Sequence, residues 1–146
     1  MAKSDIYLGN PNLKKANTQT EFTEEHIVEF LKCKKDPVYF TEKHIKIVNV
    51  DEGLVNFDMY KFQKKLIRNF HKNRFNICKM PRQTGKSTTV VSYLLHYAIF
   101  NDNVNIGILA NKAATARDLL GRLQLAYENL PTWMQQGIIA WNKGSM

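Results

Sequence analysis

The stretch CKMPRQTGKSTTVV, residues 78–91, places a glycine, a lysine and a serine in succession at the start of a helical pattern. Gly85 permits a sharp turn that directs backbone N–H groups toward an anion. Lys86 is long enough to reach the β- and γ-phosphates of a nucleotide, and the Ser87 hydroxyl is a ligand for Mg²⁺. The positive end of the following helix favours the same anion. Residues 80–87, called the GKS loop below, are therefore predicted to bind ATP with Mg²⁺.

The GKS loop departs from the usual phosphate-loop pattern because Met80 occupies the position of its first glycine. Arg82 lies inside the loop, where a guanidinium can stabilise charge on the γ-phosphate, although a surface arginine without a catalytic part is the alternative. We predict catalytic roles for Arg82 and Lys86. The predicted nucleotide-binding residues are Gln83, Thr84, Gly85, Lys86 and Ser87 of the loop and Thr88 directly after it, with Ser87 also holding the metal ion.

An aromatic residue followed by glutamine, Phe62 and Gln63, lies about twenty residues before the loop. The Phe62 ring can pack on adenine, and the Gln63 amide can both donate to and accept from the adenine edge. The alternative is that Phe62 belongs to the core and Gln63 to the surface. Together with the GKS loop, the pair predicts an adenine site.

The positive charge of the chain, +8 in total, is concentrated in its middle. No acidic residue occurs between Asp58 and Asp102, an interval that contains nine lysines and arginines. Such a block suits a polyanion, either a nucleotide or double-stranded DNA, and a solvated helix face is the alternative. Further along, Lys112 and Arg117 are candidates for contacts with DNA phosphates, or else exposed charges at an ordinary helix start.

The order of elements from residue 75 predicts the architecture that positions the loop. RFNICKM and VNIGILA are short apolar runs typical of buried strands, and each precedes a segment with helical periodicity. Strand, loop, helix, strand, helix is a βαβα order, which predicts an α/β fold with a parallel sheet and a right-handed crossover.

The residues before this unit divide into two parts. Residues 1–19 are polar and are predicted to be a flexible leader. Residues 20–57 are predicted to form N-terminal subdomain elements: a helix in TEFTEEHIVEFLKCKKDP and a half-buried strand in HIKIVNV. Residues 58–146 would be an incomplete ATPase core. Cys33 and Cys78 match no metal-binding spacing, the four histidines are dispersed, and no run is apolar and long enough for a membrane span.

PRQTGKSTTVV, VNIGILANKAATARDLLGR, LPTWMQQGIIAWNKGS and the upstream FQ together resemble the large terminase subunit of tailed bacteriophages, most closely that of large myophages. The resemblance covers residues 55–146. It implies a RecA-like ATPase that drives DNA packaging from the host cytoplasm, acting transiently at the portal vertex of the procapsid. It also implies double-stranded DNA, the portal protein and the small terminase subunit as partners, and it assigns Arg82, Lys86, Ser87, Phe62 and Gln63 the roles given above.

The sequence also departs from that family. The Walker B strand ending in Asp-Glu and the nuclease carboxylates do not occur in these residues. Without them Mg²⁺ lacks a ligand and water lacks an activating base, so we expect this truncated chain to bind ATP only weakly and to hydrolyse it poorly. A complementary chain carrying the missing half is a further expected partner. A superfamily-two helicase fragment and a non-catalytic nucleotide- or DNA-binding remnant remain the alternatives.

Overall fold

A computed structural model of the chain describes residues 5–49 and 51–146. The first four residues of the predicted leader and Val50 of the predicted strand HIKIVNV lie outside the described residues. The described part contains five helices and four short strands. In chain order they are β1 (Ile6–Tyr7), β2 (Asn10–Lys14), α1 (Glu24–Lys35), α2 (Pro37–His44), β3 (Lys46–Asn49), β4 (Gly53–Asn56), α3 (Lys61–Lys72), α4 (Lys86–Phe100) and α5 (Ala113–Glu128).

The strands form two separate antiparallel pairs, β1 with β2 and β3 with β4. The predicted RecA-like fold with a parallel sheet is therefore wrong for this structure. In the part of the chain that the structure describes, the one parallel pairing is an isolated bridge between Lys15 and Ile138. The helices, rather than a central sheet, form the body of the molecule.

Two apolar runs that were predicted as strands are present without strand pairing. Residues 75–79 and 104–110, called the extended segments below, share no backbone hydrogen bond with other described residues. Phe75, Ile77 and Leu109 are almost fully exposed. A strand exists only where another backbone satisfies its N–H and C=O groups, and apolar composition alone supplies no such partner. This explains why the sequence pattern overpredicted the sheet.

Local signals in the sequence explain where the first two helices begin. Thr23 caps α1, because its Oγ1 accepts a hydrogen bond from the His26 N–H at 3.2 Å. Asp36 ends α1 and caps α2, with Oδ1 2.8 Å from the Val38 N–H, and Pro37 occupies the first position of α2. The two helices thus meet at a fixed corner.

The core is formed where α1, α2, α3 and α5 surround the buried face of α4. Phe40, Ile67, Leu95 and Tyr127 are among its side chains and are excluded from solvent. Phe40 packs edge-on against Phe100, with ring centroids 5.5 Å apart. This packing fixes the position of α4, whose first residue follows Gly85.

Residues 12–16 and 135–138 meet on one side of this core. Leu13 of β2, within the predicted leader, is buried in the core. The buried Gln135 side chain donates to the Asn12 carbonyl at 2.9 Å and accepts from the Lys14 N–H at 3.1 Å. At Gly137 a Cβ would lie 2.5 Å from the Ala16 Cα, so only glycine allows the two backbones to approach this closely.

Candidate functional site

The GKS loop connects an extended segment to the first turn of α4. Gly85 is the N-cap residue of α4 and has φ 70°, a left-handed conformation that glycine adopts without steric cost. Gln83 also has a positive φ, 60°. Two left-handed residues this close together bend the loop sharply, so that the N-terminus of the 15-residue helix α4 begins directly after the turn.

Side chains of the loop and of α4 hold this turn in place. The Thr84 hydroxyl donates to the Pro81 carbonyl at 3.1 Å. Both the N–H and the hydroxyl of Thr89 donate to the Gly85 carbonyl, each at 3.0 Å. Lys86 Nζ lies 3.2 Å from the Pro81 carbonyl oxygen. The lysine ammonium is thus held over the loop, next to the start of the helix.

Gln63 links α3 to the GKS loop. Its Nε2 donates to the Thr84 carbonyl at 3.2 Å, and its Oε1 accepts from the Tyr60 N–H at 2.9 Å. The residue is only 2% exposed. A Cβ on Gly85 would lie 2.6 Å from Gln63 Nε2, so the loop packs directly on this amide. The structure therefore brings Gln63 and the GKS loop together, as the adenine-site prediction requires, with the amide supporting the loop backbone.

Two aromatic rings are exposed at the start of α3. Phe62 is 45% exposed, and its ring stacks on that of Tyr60 with centroids 5.8 Å apart and an interplanar angle of 10°. Tyr60 is itself 70% exposed. Since Gln63 follows in the same turn, this pair lies on the helix end that contacts the loop. Exposed flat rings of this kind can stack on a nucleotide base.

The other predicted site residues are distributed around the start of α4. Arg82 is exposed within the turn, and Ser87 is half-buried in the first turn of the helix. Thr88 lines a different cleft, which is bounded by β3 and by α5 residues that include Asp118. Lys112 and Arg117 are exposed at the start of α5. Of the predicted site residues, Thr88 alone lines the cleft beside β3.

The exposed face of α3 is positively charged. Lys61, Lys65, Arg68 and Lys72 are exposed along α3, while Lys64 forms an ion pair of 2.6 Å with Glu42. Gln63 and Ile67 occupy the buried side of the same helix. The basic residues predicted from the sequence therefore share an accessible helix face, which attracts anions by long-range electrostatics.

A second polar cluster lies at the corner between α1 and α2. Glu29 accepts hydrogen bonds from Tyr39 and lies 2.8 Å from His44 Nε2. Burial would raise the pKa of Glu29, but hydrogen bonds from His44 and Tyr39 and the charge of Lys43 outweigh it and lower the pKa. Burial, and then the Glu29 carboxylate, raise the pKa of the Cys33 thiol to about 12.

The sequence analysis did not predict Tyr60 or the cluster of Glu29, Cys33 and His44. Tyr60 directly precedes α3 and lies three residues before Gln63. At this spacing the side chain of the later residue can bind the backbone N–H of the residue before the helix, so the sequence did contain a signal for the contact between Tyr60 and Gln63. Glu29 and Cys33 are one turn apart on α1, but no local pattern connects them to His44. Their proximity depends on the corner at Asp36, which sequence spacing does not reveal.

Comparison of the chain with models of known protein families found no match. Within the described residues, no helix has the length and apolar character needed to cross a membrane.

Proposed function

We propose that the GKS loop binds the phosphates of ATP. The observation that carries this proposal is the left-handed Gly85 at the start of α4, with Lys86 Nζ held over the same turn. The first N–H groups of a helix have no partner within the helix, and they favour an anion together with the helix dipole. Lys86 adds a full positive charge, and Ser87 supplies an oxygen for Mg²⁺.

The base of the nucleotide would lie toward the start of α3. Phe62, stacked on Tyr60, offers a ring to adenine. The Gln63 amide has spare donor and acceptor capacity for the base edge, but it is only 2% exposed, so contact with the base requires the side chain to turn outward from the Thr84 carbonyl. Binding of the base by Gln63 would therefore be coupled to the shape of the phosphate turn.

We propose Arg82 as the residue that approaches the γ-phosphate, since it is exposed inside the turn. Hydrolysis also needs a carboxylate to complete the Mg²⁺ site and another group to orient water. No acidic residue occurs between Asp58 and Asp102, and the paired acids that follow an apolar run, Asp51 and Glu52 after HIKIVNV, precede the GKS loop, whereas the Walker B acids follow it. The chain is therefore expected to bind ATP and to release phosphate only slowly.

The biological role that fits these residues is the ATP-binding part of a DNA-packaging motor, the large terminase subunit. The support is the sequence resemblance over residues 55–146 and the basic face of α3, which offers Lys61, Lys65, Arg68 and Lys72 to DNA phosphates. In that role, the protein acts in the host cytoplasm and at the portal vertex, with the portal protein, the small subunit and a complementary chain as partners.

Nucleotide binding by the 146-residue chain tests the proposal. Titration calorimetry with ATP and Mg²⁺ should give saturable binding. Lys86→Ala should weaken it about 10- to 100-fold, the effect of losing a charge-assisted hydrogen bond of about 1.5–3 kcal/mol. Lys79→Ala is the matched control, because it removes an exposed lysine of the same basic interval outside the loop.

Equal loss of affinity in Lys86→Ala and Lys79→Ala would show that ATP is attracted only by the general positive charge. Rapid phosphate release by the purified chain, abolished by Lys86→Ala, would contradict the expectation of slow hydrolysis. DNA binding that falls steeply with salt and is unaffected by nucleotide would favour the non-catalytic alternative. A helicase fragment is distinguished from a packaging motor by strand separation of duplex DNA driven by ATP.

A further inference from the structure

Three chemically different side chains meet at the corner between α1 and α2. Glu29 and Cys33 are one turn apart on α1, and His44 is the last residue of α2. Cys33 Sγ lies 3.7 Å from Glu29 Oε1, and His44 Nε2 lies 2.8 Å from the same oxygen. All three candidate ligand atoms lie within 4.8 Å of one another. The corner therefore brings one sulfur, one nitrogen and one oxygen to a common centre.

The sulfur–oxygen and nitrogen–oxygen distances are close to those between the ligands of a tetrahedral zinc ion, and the sulfur–nitrogen distance is within 4.8 Å. With bonds of about 2.3 Å to sulfur and about 2.0–2.2 Å to nitrogen and oxygen, neighbouring ligand atoms are about 3.3–3.7 Å apart. The sulfur–oxygen distance already falls in this range. The nitrogen–oxygen distance needs to widen by about half an ångström, which a rotation of the partly exposed Glu29 carboxylate can provide.

The cluster is mostly buried but remains accessible to solvent through Glu29 and His44. Cys33 is fully buried, whereas the side chains of Glu29 and His44 remain 18% and 10% exposed. The Tyr39 hydroxyl lies within hydrogen-bond distance of both Glu29 oxygens, so its one hydrogen can bind Oε2 while Oε1 binds a metal. The Lys43 ammonium, 3.8 Å from Glu29, is on a long and mostly exposed side chain that can turn to solvent.

We propose that Glu29, Cys33 and His44 bind one Zn²⁺ ion, with a water molecule as the fourth ligand. On binding, the Cys33 S–H bond breaks, its proton passes to solvent, and the thiolate donates a pair of electrons to the metal. The proton that His44 Nε2 shares with Glu29 also passes to solvent, Nδ1 carries the proton of the neutral ring, and the freed Nε2 lone pair is donated to the metal. The ion joins α1 to α2 and is independent of the nucleotide proposed for the GKS loop, since no residue is shared.

Cobalt titration of the full 146-residue chain, without nucleotide, tests the site. Co²⁺ replaces Zn²⁺ in such sites, and a cobalt–thiolate bond gives an intense near-ultraviolet charge-transfer band. We expect one equivalent of Co²⁺ to produce this band and one equivalent of Zn²⁺ to abolish it. Cys33→Ser should lose the band, while Cys78→Ser, which alters the exposed second cysteine, should retain it.

Two partly exposed ligands supply a second arm in case Cys33→Ser fails to fold. Glu29→Gln and His44→Gln keep the side-chain size, and each should weaken Zn²⁺ binding at least tenfold, with circular dichroism confirming an intact helical signal. Zn²⁺ should also raise the melting temperature of the unaltered chain and of Cys78→Ser. Absence of the band in the folded chain, a band that depends on Cys78, or equal affinity in all variants would overturn the proposal.

Discussion

The two sides of α4 differ sharply in how completely the chain covers them. On one side Val91, Leu95 and Ile99 are buried against neighbouring helices. On the other, a groove lined by Tyr93, Tyr97 and other α4 residues runs between the two extended segments, whose backbones are unpaired. The GKS loop is continuous with both regions. Its hydrogen bonds from Gln63 and Thr89 show that the helical side holds it in shape.

The shape of the candidate phosphate site therefore does not depend on a sheet in this structure. Gly85 obtains its left-handed geometry from the turn and from contact with the buried amide of Gln63. The extended segments contribute no backbone hydrogen bond to the loop. Changes on the helical side should therefore affect the loop, and changes on the extended side should not.

The largest expected difference is in amide hydrogen exchange. Amides of α4 between residues 91 and 99 should exchange at least a thousandfold more slowly than those of the extended segments, since the former open only with much of the core. Mass spectrometry of the exchanging chain measures this directly. Similarly slow exchange in both regions would show that residues 75–79 and 104–110 are paired in solution. It would contradict the difference between the two sides of α4.

A matched pair of leucine substitutions tests the same contrast energetically. Leu95→Ala removes a buried side chain and should lower the free energy of unfolding by about 3 kcal/mol, through lost burial and the cavity it leaves. Leu109→Ala, in an extended segment, should change it by less than about 0.5 kcal/mol. Denaturant unfolding of the two variants gives both values. A large loss in Leu109→Ala would mean that this segment is covered.

Acid should destabilise the buried side of α4 through His96. Burial is the main cause that lowers the pKa of His96 to about 4, although its hydrogen bond to the Cys33 carbonyl acts the other way. Because the folded pKa lies below the ordinary value, the stabilisation is present above pH 6.5 and is lost as the pH falls toward 4. The expected loss is on the order of 3 kcal/mol.

Unfolding free energies of the unaltered chain and of His96→Gln, measured between pH 7 and pH 4, isolate this contribution. The two curves should diverge as the pH rises from 4 to 6.5, because the variant has no imidazole to titrate. Parallel curves across this interval would show that His96 titrates normally in the folded protein, and that this face of α4 is reached by water.

A pair of glycine substitutions tests whether Gln63 holds the loop. Gly85 and Gly53 have similar positive φ angles, 70° and 74°, but a Cβ would meet Gln63 only at Gly85. Gly53→Ala should cost about 1–2 kcal/mol for backbone strain alone. Gly85→Ala should cost about 1 kcal/mol more, because the new methyl group displaces a buried amide from its hydrogen bonds. Equal losses of unfolding free energy in the two variants would show that the Gln63 side chain moves aside without cost.

Helices α1, α3, α4 and α5 were predictable because their signals are local, whereas α2 was not predicted. The periodic apolar residues of α3, α4 and α5 and the capping residue Thr23 lie within the segments that they specify. The extended segments were predicted as strands from the same kind of local pattern. Strand pairing, however, requires a second backbone that is distant in the sequence. The residues of RFNICKM and VNIGILA do not indicate whether such a partner strand is present.

The candidate site was predictable to a similar extent. Gly85, Lys86 and Ser87 were identified because their chemistry is contained in three adjacent residues. The contact between Gln63 and the loop was consistent with the sequence, yet its geometry depends on how α3 packs beside α4. The convergence of Glu29, Cys33 and His44 was hidden because it depends on the turn between two helices.

The central claim is that the turn at Gly85 and Lys86, supported by Gln63, binds the phosphates of ATP. Amide chemical shifts of the isotopically labelled chain, recorded while ATP and Mg²⁺ are added, test it most directly. We expect the largest shifts at residues 83–88 and smaller ones near Phe62, and we expect Lys86→Ala to remove them. Shifts confined to the basic face of α3, or unchanged in Lys86→Ala, would contradict it.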